Sequence, residues 1–251
     1  MARPRVVIKL GGGQVDDPHF LERLVGVIRE MEDCQILFVH GGGKEIAAWQ
    51  ERLGLEPRFV EGLRVTDRES LQVAEMVLSG LVNKRLVARL VAGGVPAVGL
   101  SGVDGGLIRV ERMSHPAGDL GFVGRVVEVN PALLELLLGQ GLLPVVSPIS
   151  LGPDGQRYNV NADHAAWAIA RTVAAESLVF VSDVPGVLME GCLLANLTAD
   201  QIESLIRAQA IRGGMVPKVR SALAALSGGV PRVRITDLEG LQSGGGTVIT
   251  M

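Results

Sequence analysis

The chain has 251 residues, 47% of them hydrophobic and only 3% aromatic, with two cysteines and a formal net charge of −3. This suits one large α/β unit or two modest lobes around a core of Val, Leu, Ile and Ala, and it excludes disorder. It also argues against a nucleic-acid partner, a disulfide framework and a membrane span: there is no basic stripe or aromatic platform, Cys34 and Cys192 stand alone, and glycine, proline or charge soon breaks every apolar run.

In chain order, β-rich runs alternate with helical patterns. A strand over 5–10 begins the fold almost at once, so no secretory leader is read and a reducing cytoplasm is expected. A helix follows from about Pro18, where proline suits a first turn and Phe20, Leu21, Leu24, Val25 and Ile28 form one stripe. A strand over 36–39 and a helix from about Lys44 complete a βαβ rhythm, which implies parallel strands covered by helices on both faces. A longer helix begins at Thr66, with Thr66-x-x-Glu69 as a capping box. Leu71, Ala74, Val77, Leu78, Leu81, Leu86 and Leu90 continue one face of it to a stop at Gly93-Gly94. Strands are expected over 95–100, 142–147, 177–181, 232–236 and 247–250, with antiparallel hairpin material over 105–129. Asn161 reads as the cap of a helix running to about Ala174, and Gly213-Gly214 leads into another with Pro217 near its first position. A soft boundary near Ala174-Ala175 divides the chain into lobes 1–174 and 175–251.

The unusual residues gather at predicted strand ends, where open α/β sheets bind ligands. Of 24 basic residues only four are lysine, at 9, 44, 84 and 218. Lys9 precedes Gly11-Gly12-Gly13, and Lys44 follows Gly41-Gly42-Gly43. A glycine turn between strand and helix offers free N–H groups to an anion, and lysine adds a compact point charge where arginine would present a rigid fork. Chance placement is the competing reading for Lys44 and Lys84. Neither standard phosphate loop matches, because Phe38 stands where a Walker A glycine belongs and Asp16 interrupts a Gly-x-Gly-x-x-Gly pattern. Asn159, Asn161 and Asp163 place three polar side chains at one helix start, and capping accounts for only one of them. Lys218 falls in a first helical turn, the end at which its charge opposes the dipole, and this raises the case for a functional role.

Lys9-Leu10-Gly11-Gly12, His40 to Gly43, Gly62 to Asp67, Asn83-Lys84, Asp119 to Gly124, Asn159 to Asp163, Ser182 to Leu188, Gly214-Met215 with Lys218, and Gly246-Thr247 together resemble the amino acid kinase family. The match keeps the family's order and runs from residue 6 to 250. It implies a three-layer αβα sandwich with a central, mainly parallel sheet, of the carbamate kinase-like kind. The lobe 1–174 would bind an acyl amino acid and dimerise, and the lobe 175–251 would bind ATP. Within the family the resemblance is to members that use ATP and Mg²⁺ to phosphorylate the side-chain carboxylate of N-acetyl-L-glutamate, the second step of arginine biosynthesis.

Carried across by motif, the resemblance assigns Lys9 and Lys218 to the transferring phosphoryl group, with Asp163 orienting both. Arg64 and Asn159 would hold the substrate, and Gly42 and Gly43 would lie along the substrate and phosphoryl path. Gly11, Gly12, Asp183, Val184, Pro185, Gly186, Val187, Leu188, Ala210, Ile211, Arg212, Gly213, Gly214 and Met215 would surround the nucleotide. No protein ligands are assigned to the metal, which would ride on ATP oxygens and water. One departure is Val248 after Thr247, where the family commonly carries arginine or lysine. That valine also resembles related kinases acting on carrier-protein-linked aminoadipate or glutamate in lysine biosynthesis, the alternative substrate. The other alternative is a non-catalytic nucleotide-binding regulator, against which Lys9, Asp163 and Lys218 stand together. The early Lys9 leaves no room for the extra N-terminal helix that arginine-inhibited members look to carry, so a homodimer insensitive to arginine is expected.

Overall fold

The computed structural model describes residues 3–251. Strands β1 (Arg5–Leu10) and β2 (Gln35–His40) pair in parallel, with Leu10 opposite His40. Side chains alternate across them: Val7, Leu37 and Val39 enter one core cluster, whereas Ile8, Leu10 and Phe38 enter the other. Both faces are therefore buried, which is why these strands read as continuous apolar runs. Between them run the one-turn helix α1 (Gly12–Val15) and α2 (Pro18–Glu30), whose start is capped by Asp17 accepting from the His19 backbone. Helix α3 (Gly43–Arg52) leaves β2 through the second glycine triplet, and a small hairpin of β3 (Phe59–Val60) and β4 (Leu63–Arg64) follows.

The next helix departs from expectation twice. Asp67, not Thr66, caps α4 (Arg68–Glu75) by accepting from the Ser70 backbone, and Thr66 donates its hydroxyl to the Arg64 carbonyl instead. A seven-residue π-helical segment, Met76–Val82, then separates α4 from α5 (Asn83–Ala92). Its wider turns rotate the stripe. Leu71, Ala74, Val77, Leu78, Leu86 and Leu90 stay buried, but Leu81 is turned out and 39% exposed.

Strand β5 (Ala97–Gly102) is followed by the antiparallel pair β6 (Ile108–Arg112) and β7 (Gly124–Val129). Then come α6 (Ala132–Gly139), the long β8 (Leu143–Leu151), β9 (Arg157–Asn159) and α7 (Ala162–Thr172). Strand β10 (Ser177–Val181) leads to a short hairpin of β11 (Leu188–Met189) and β12 (Cys192–Leu193). The chain ends with β13 (Asn196–Thr198), α8 (Ala199–Arg207), α9 (Met215–Ser227), β14 (Val233–Thr236), α10 (Leu238–Ser243) and β15 (Thr247–Thr250). Pro217 is the third residue of α9, still within the turn whose N–H groups lack helical acceptors.

One eleven-stranded sheet carries the order β13-β15-β14-β10-β1-β2-β8-β6-β7, with β5 and β9 also paired to β8. The pairs at its centre, β14-β10, β10-β1, β1-β2 and β2-β8, are all parallel, so their carboxyl ends share one edge. Helices cover both faces, giving the expected three-layer αβα sandwich. The sheet is unbroken across Ala174-Ala175, because β1 and β10 are hydrogen-bonded neighbours with Leu10 opposite Val181. Among the described residues no helix is long and apolar enough to cross a membrane.

Candidate active site

The site is built on the shared carboxyl edge of β1, β2 and β10. Alternation along β1 turns Lys9 to the same face as Val7, the layer that α7 covers. There its Nζ lies 2.7 Å from Asp163 Oδ1, both side chains being largely buried. Asn161 caps α7 by accepting from the Asp163 backbone N–H, so the cap also fixes where the carboxylate emerges. Lys9, Asp163, Gly42, Gly43, Arg64 and Asn159 all line one cavity of about 230 Å³.

The two glycine turns touch. A Cβ on Gly12 would stand 2.9 Å from the backbone nitrogens of both Gly42 and Gly43, and one on Gly42 would meet Leu78 Cδ2 at 2.7 Å. Only glycine permits this approach. Lys44 extends along Gly13, while Lys84 donates to the Asn83 side-chain oxygen at 3.0 Å and the Gly99 carbonyl at 3.2 Å.

Arg64 is held on three sides. Its Nη1 donates to Gln50 Oε1 and its Nη2 to the Gly43 carbonyl at 2.8 Å, and the guanidinium lies 4.7 Å above the Phe59 ring centroid. Gln50 is itself fully buried and donates to Ser70 Oγ at 2.9 Å. Two of five guanidinium protons are thereby used, and the others remain for a ligand. Burial lowers the Arg64 pKa from its ordinary value, yet an arginine stays charged in any case. Asn159 donates to Thr66 Oγ1 at 3.3 Å, so Thr66 belongs to this site rather than to a helix cap.

Lys218 sits one strand away. Its Nζ donates to Ser182 Oγ at 2.6 Å and lies 3.7 Å from Asp183 Oδ1, immediately beyond β10. Asp163 thus pairs with Lys9 but is not within ion-pair distance of Lys218, and the second lysine is oriented by Ser182. The bend 183–188 is anchored rather than free: Val187 is buried, and its N–H donates to Thr247 Oγ1 at 2.8 Å. Gly186, at φ 152°, leaves no space for a Cβ beside Thr247. Val184, Pro185 and Leu188 complete that bend, and Ala210, Ile211, Arg212, Gly213 and Gly214 form the connection from α8 to Met215 at the start of α9. The Ile211 side chain is buried and Gly213 takes φ 59°, so this connection too has an apolar anchor and a turn that favours glycine. Val248 pairs with Arg234 across β14 and β15, which puts an arginine beside the position where the motif departs.

Behind the turns, Arg85 clasps both. Its Nη1 is 3.0 Å from Asp16 Oδ1, just past the first glycine turn, and 3.0 Å from Glu45 Oε2, just past the second. Burial and the adjoining Glu45 push the Asp16 carboxyl up to about 6, while the Arg85 hydrogen bond holds Glu45 below its ordinary value. A carboxyl raised in the folded state favours folding fully below its unfolded value near 4, and that contribution is lost as pH rises through about 6. Asp16→Asn, which mimics the protonated form, is therefore expected to raise Tm above wild type at pH 7.5 by a few degrees and to match it near pH 4. Thermal melts of both proteins across pH 4–8 read this, and parallel curves would contradict it.

Sequence reasoning missed Gln50 and Ser70, and it placed Ser182 in a motif without giving it a role. A buried glutamine or serine carries no periodic signal, because its role depends on which distant side chain the fold delivers to it. Among the described residues no three His, Cys, Asp or Glu side chains gather as metal ligands.

A mainly parallel three-layer α/β sandwich whose strand ends hold a largely buried lysine beside touching glycine turns, with a second lysine one strand away, defines a phosphoryl-transfer enzyme. The sequence model of the amino acid kinase family matches residues 4–237, and the chain belongs to that family. It is 54% identical over 248 residues to an acetylglutamate kinase of Roseiflexus sp. (strain RS-1), covering 99% of this chain and 94% of that one. It is 49% identical over 251 residues to an acetylglutamate kinase of Methanopyrus kandleri, covering 97% and 99%. The crystal structure of smu.665 from Streptococcus mutans UA159 superposes with a TM-score of 0.85 at 29% identity, over 99% of both chains.

Proposed function

We propose that this chain transfers the γ-phosphoryl group of ATP to the side-chain carboxylate of N-acetyl-L-glutamate, giving N-acetyl-L-glutamyl 5-phosphate in the second step of arginine biosynthesis. The observation that carries this reading is a single cavity lined by Lys9, the second glycine turn Gly41–Gly43, Arg64 and Asn159, in which Asp163, already committed to Lys9, is the only carboxylate among the described residues. Such a site neutralises charge and aligns groups but offers no general base. A carboxylate nucleophile needs none, being ionised at neutral pH with a reference pKa of about 4.3. Its oxygen forms the new P–O bond as the bond to the β-phosphate bridging oxygen breaks, ADP carries away the electron pair, and no proton moves.

In this reading Lys9 and Lys218 meet the equatorial and bridging oxygens, where negative charge spreads in the transition state. Asp163 orients Lys9, Ser182 orients Lys218, and Arg64 takes the substrate's α-carboxylate through a bidentate fork. ATP occupies Gly11-Gly12 and the bends 183–188 and 210–215. The donor set fits Mg²⁺ only as a passenger of the nucleotide: Asp163 is tied to Lys9 and Asp183 is the exposed carboxylate nearby, so phosphate oxygens and water would supply most ligands. When bound, the ion neutralises phosphate charge. The lobe 1–174 carries the acceptor and the lobe 175–251 most of the nucleotide contacts, the enzyme acts in the cytoplasm, and it is a homodimer. The exposed Met76, Leu81 and Val91 beside the edge strand β5 support dimerisation.

Hydroxylamine trapping of acyl phosphate with Mg-ATP tests the substrate, with N-acetyl-L-glutamate, L-glutamate, L-aspartate and N-acetyl-aminoadipate compared. Hydroxamate from N-acetyl-L-glutamate is the expected result, and preference for the aminoadipate analogue would move the chain to the lysine-type reading. Sedimentation of the same preparation at dimer mass is expected, and a monomer would remove that part.

A further inference from the structure

His40 and Asn83 are both fully buried beside the second glycine turn, and neither has a part in the mechanism above. Their hydrogen bonds form a chain whose direction can be read from one end. Lys84 Nζ donates to Asn83 Oδ1 at 3.0 Å, which identifies the oxygen of that amide. Asn83 Nδ2 faces the carbonyls of Val145 at 2.9 Å and Leu100 at 3.3 Å, and both are acceptors. Nδ2 is also 3.2 Å from His40 Nε2; its two protons are shared among these three neighbours and it cannot accept, so an Nε2–H would have no acceptor there and the ring proton belongs on Nδ1. Nδ1 then donates to the Gly41 carbonyl at 3.0 Å. Burial pushes the His40 pKa down to about 4, so the ring is neutral and keeps this one-donor, one-acceptor form at neutral pH.

The turn itself shows what this bond does. The Gly41 N–H is taken by the Leu10 carbonyl, the Gly42 carbonyl accepts from the Ile46 N–H, and the Gly43 carbonyl accepts from Arg64. With Gly41 held by His40, every carbonyl of the triplet is engaged. Among the described residues the N–H groups of Gly42 and Gly43 are the two left without a protein acceptor, and both nitrogens lie 2.9 Å from where a Cβ on Gly12 would stand. A trans peptide points its C=O and N–H in opposite directions. Pinning the Gly41 oxygen in the core therefore aims the Gly42 N–H outward, beside the cavity that Lys9 lines. A peptide between two glycines flips with little steric penalty, and the flipped form would place a carbonyl oxygen where an anion must sit.

We propose that His40, oriented through Asn83 by Lys84, is a positioning residue that locks the Gly41-Gly42 peptide so that its N–H meets the transferring phosphoryl group. This rests on the phosphotransfer reading of the site and gives Lys84 a role at a distance from the substrate. His40→Leu removes the donor to Gly41, yet both Asn83 Nδ2 protons keep carbonyl acceptors at Val145 and Leu100. His40→Asn retains a donor near the Nδ1 position.

Kinetics and melts of both variants, with ¹⁵N NMR of the ring tautomer in the wild-type enzyme, test the proposal. His40→Leu is expected to lose on the order of 10²-fold in kcat, as for a lost oxyanion donor, with KM for ATP within twofold and Tm nearly unchanged. His40→Asn is expected to recover most of that loss, and the tautomer to carry its proton on Nδ1. Unchanged kcat in His40→Leu, an Nε2–H tautomer, or a fall of kcat and Tm together in both variants would overturn it. Absence of acyl phosphate from wild type would sink the substrate reading alone, since the tautomer is measured without substrate.

Discussion

Lys218→Arg is expected to lower kcat by on the order of 10²–10³-fold while KM for each substrate stays within about threefold. The side chain keeps its charge, so the loss measures geometry. Lys218 reaches the carboxyl edge from the first turn of α9 and ends as a point charge 2.6 Å from Ser182 Oγ. A guanidinium is longer and planar, and it would satisfy its fork on the exposed Asp183 carboxylate rather than place one positive centre beside a phosphoryl oxygen. Lys218 is partly exposed, so the larger side chain need not disturb the core. Single-turnover rates with a melt as control decide it. Near-normal turnover would remove Lys218 from the phosphoryl path.

Arg64→Lys is expected to act on the other half of the reaction, raising KM for N-acetyl-L-glutamate about 10²-fold with kcat little changed. A charge-assisted hydrogen bond contributes about 1.5–3 kcal/mol, and losing one arm of a bidentate pair falls in that range. The surroundings make the exchange severe. Gln50, Gly43 and Phe59 are arranged to hold a flat fork, and lysine would leave the buried Gln50 oxygen without its donor and the Phe59 face without its stacking partner. Initial-rate kinetics with N-acetyl-L-glutamate varied at saturating ATP read the effect, and an unchanged KM would place Arg64 outside the acceptor site.

Much of this molecule was legible in its sequence. The strands over 5–10, 177–181 and 247–250 fall where the apolar runs put them, and in the first two burial on both faces selects the central apolar residues Val6-Val7-Ile8 and Leu178-Val179-Phe180-Val181. The glycine triplets stood out for a related reason: two backbones approach closely there, and a side chain at Gly12 or Gly42 would collide. Errors arose where neighbouring residues compete. Thr66 and Asp67 can both cap a helix, and only the link from Asn159 to Thr66 Oγ1 assigns Thr66 to the site and leaves the cap to Asp67. A π-helical segment leaves no mark in a periodic pattern, so Leu81 was placed on the wrong face.

The sequence by itself determined the α/β alternation, the parallel sheet, the strand-end glycine turns and the family, since each depends on local periodicity, glycine's small size or an ordered set of motifs. The tertiary structure alone decided which polar groups meet: Asp163 with Lys9 but not Lys218, Ser182 with Lys218, Gln50 with Arg64, and Lys84 through Asn83 to His40. Periodicity encodes how deeply a residue is buried, whereas the partner of a buried polar group depends on strand register and on the layer its helix covers. Those are set only when distant segments pack.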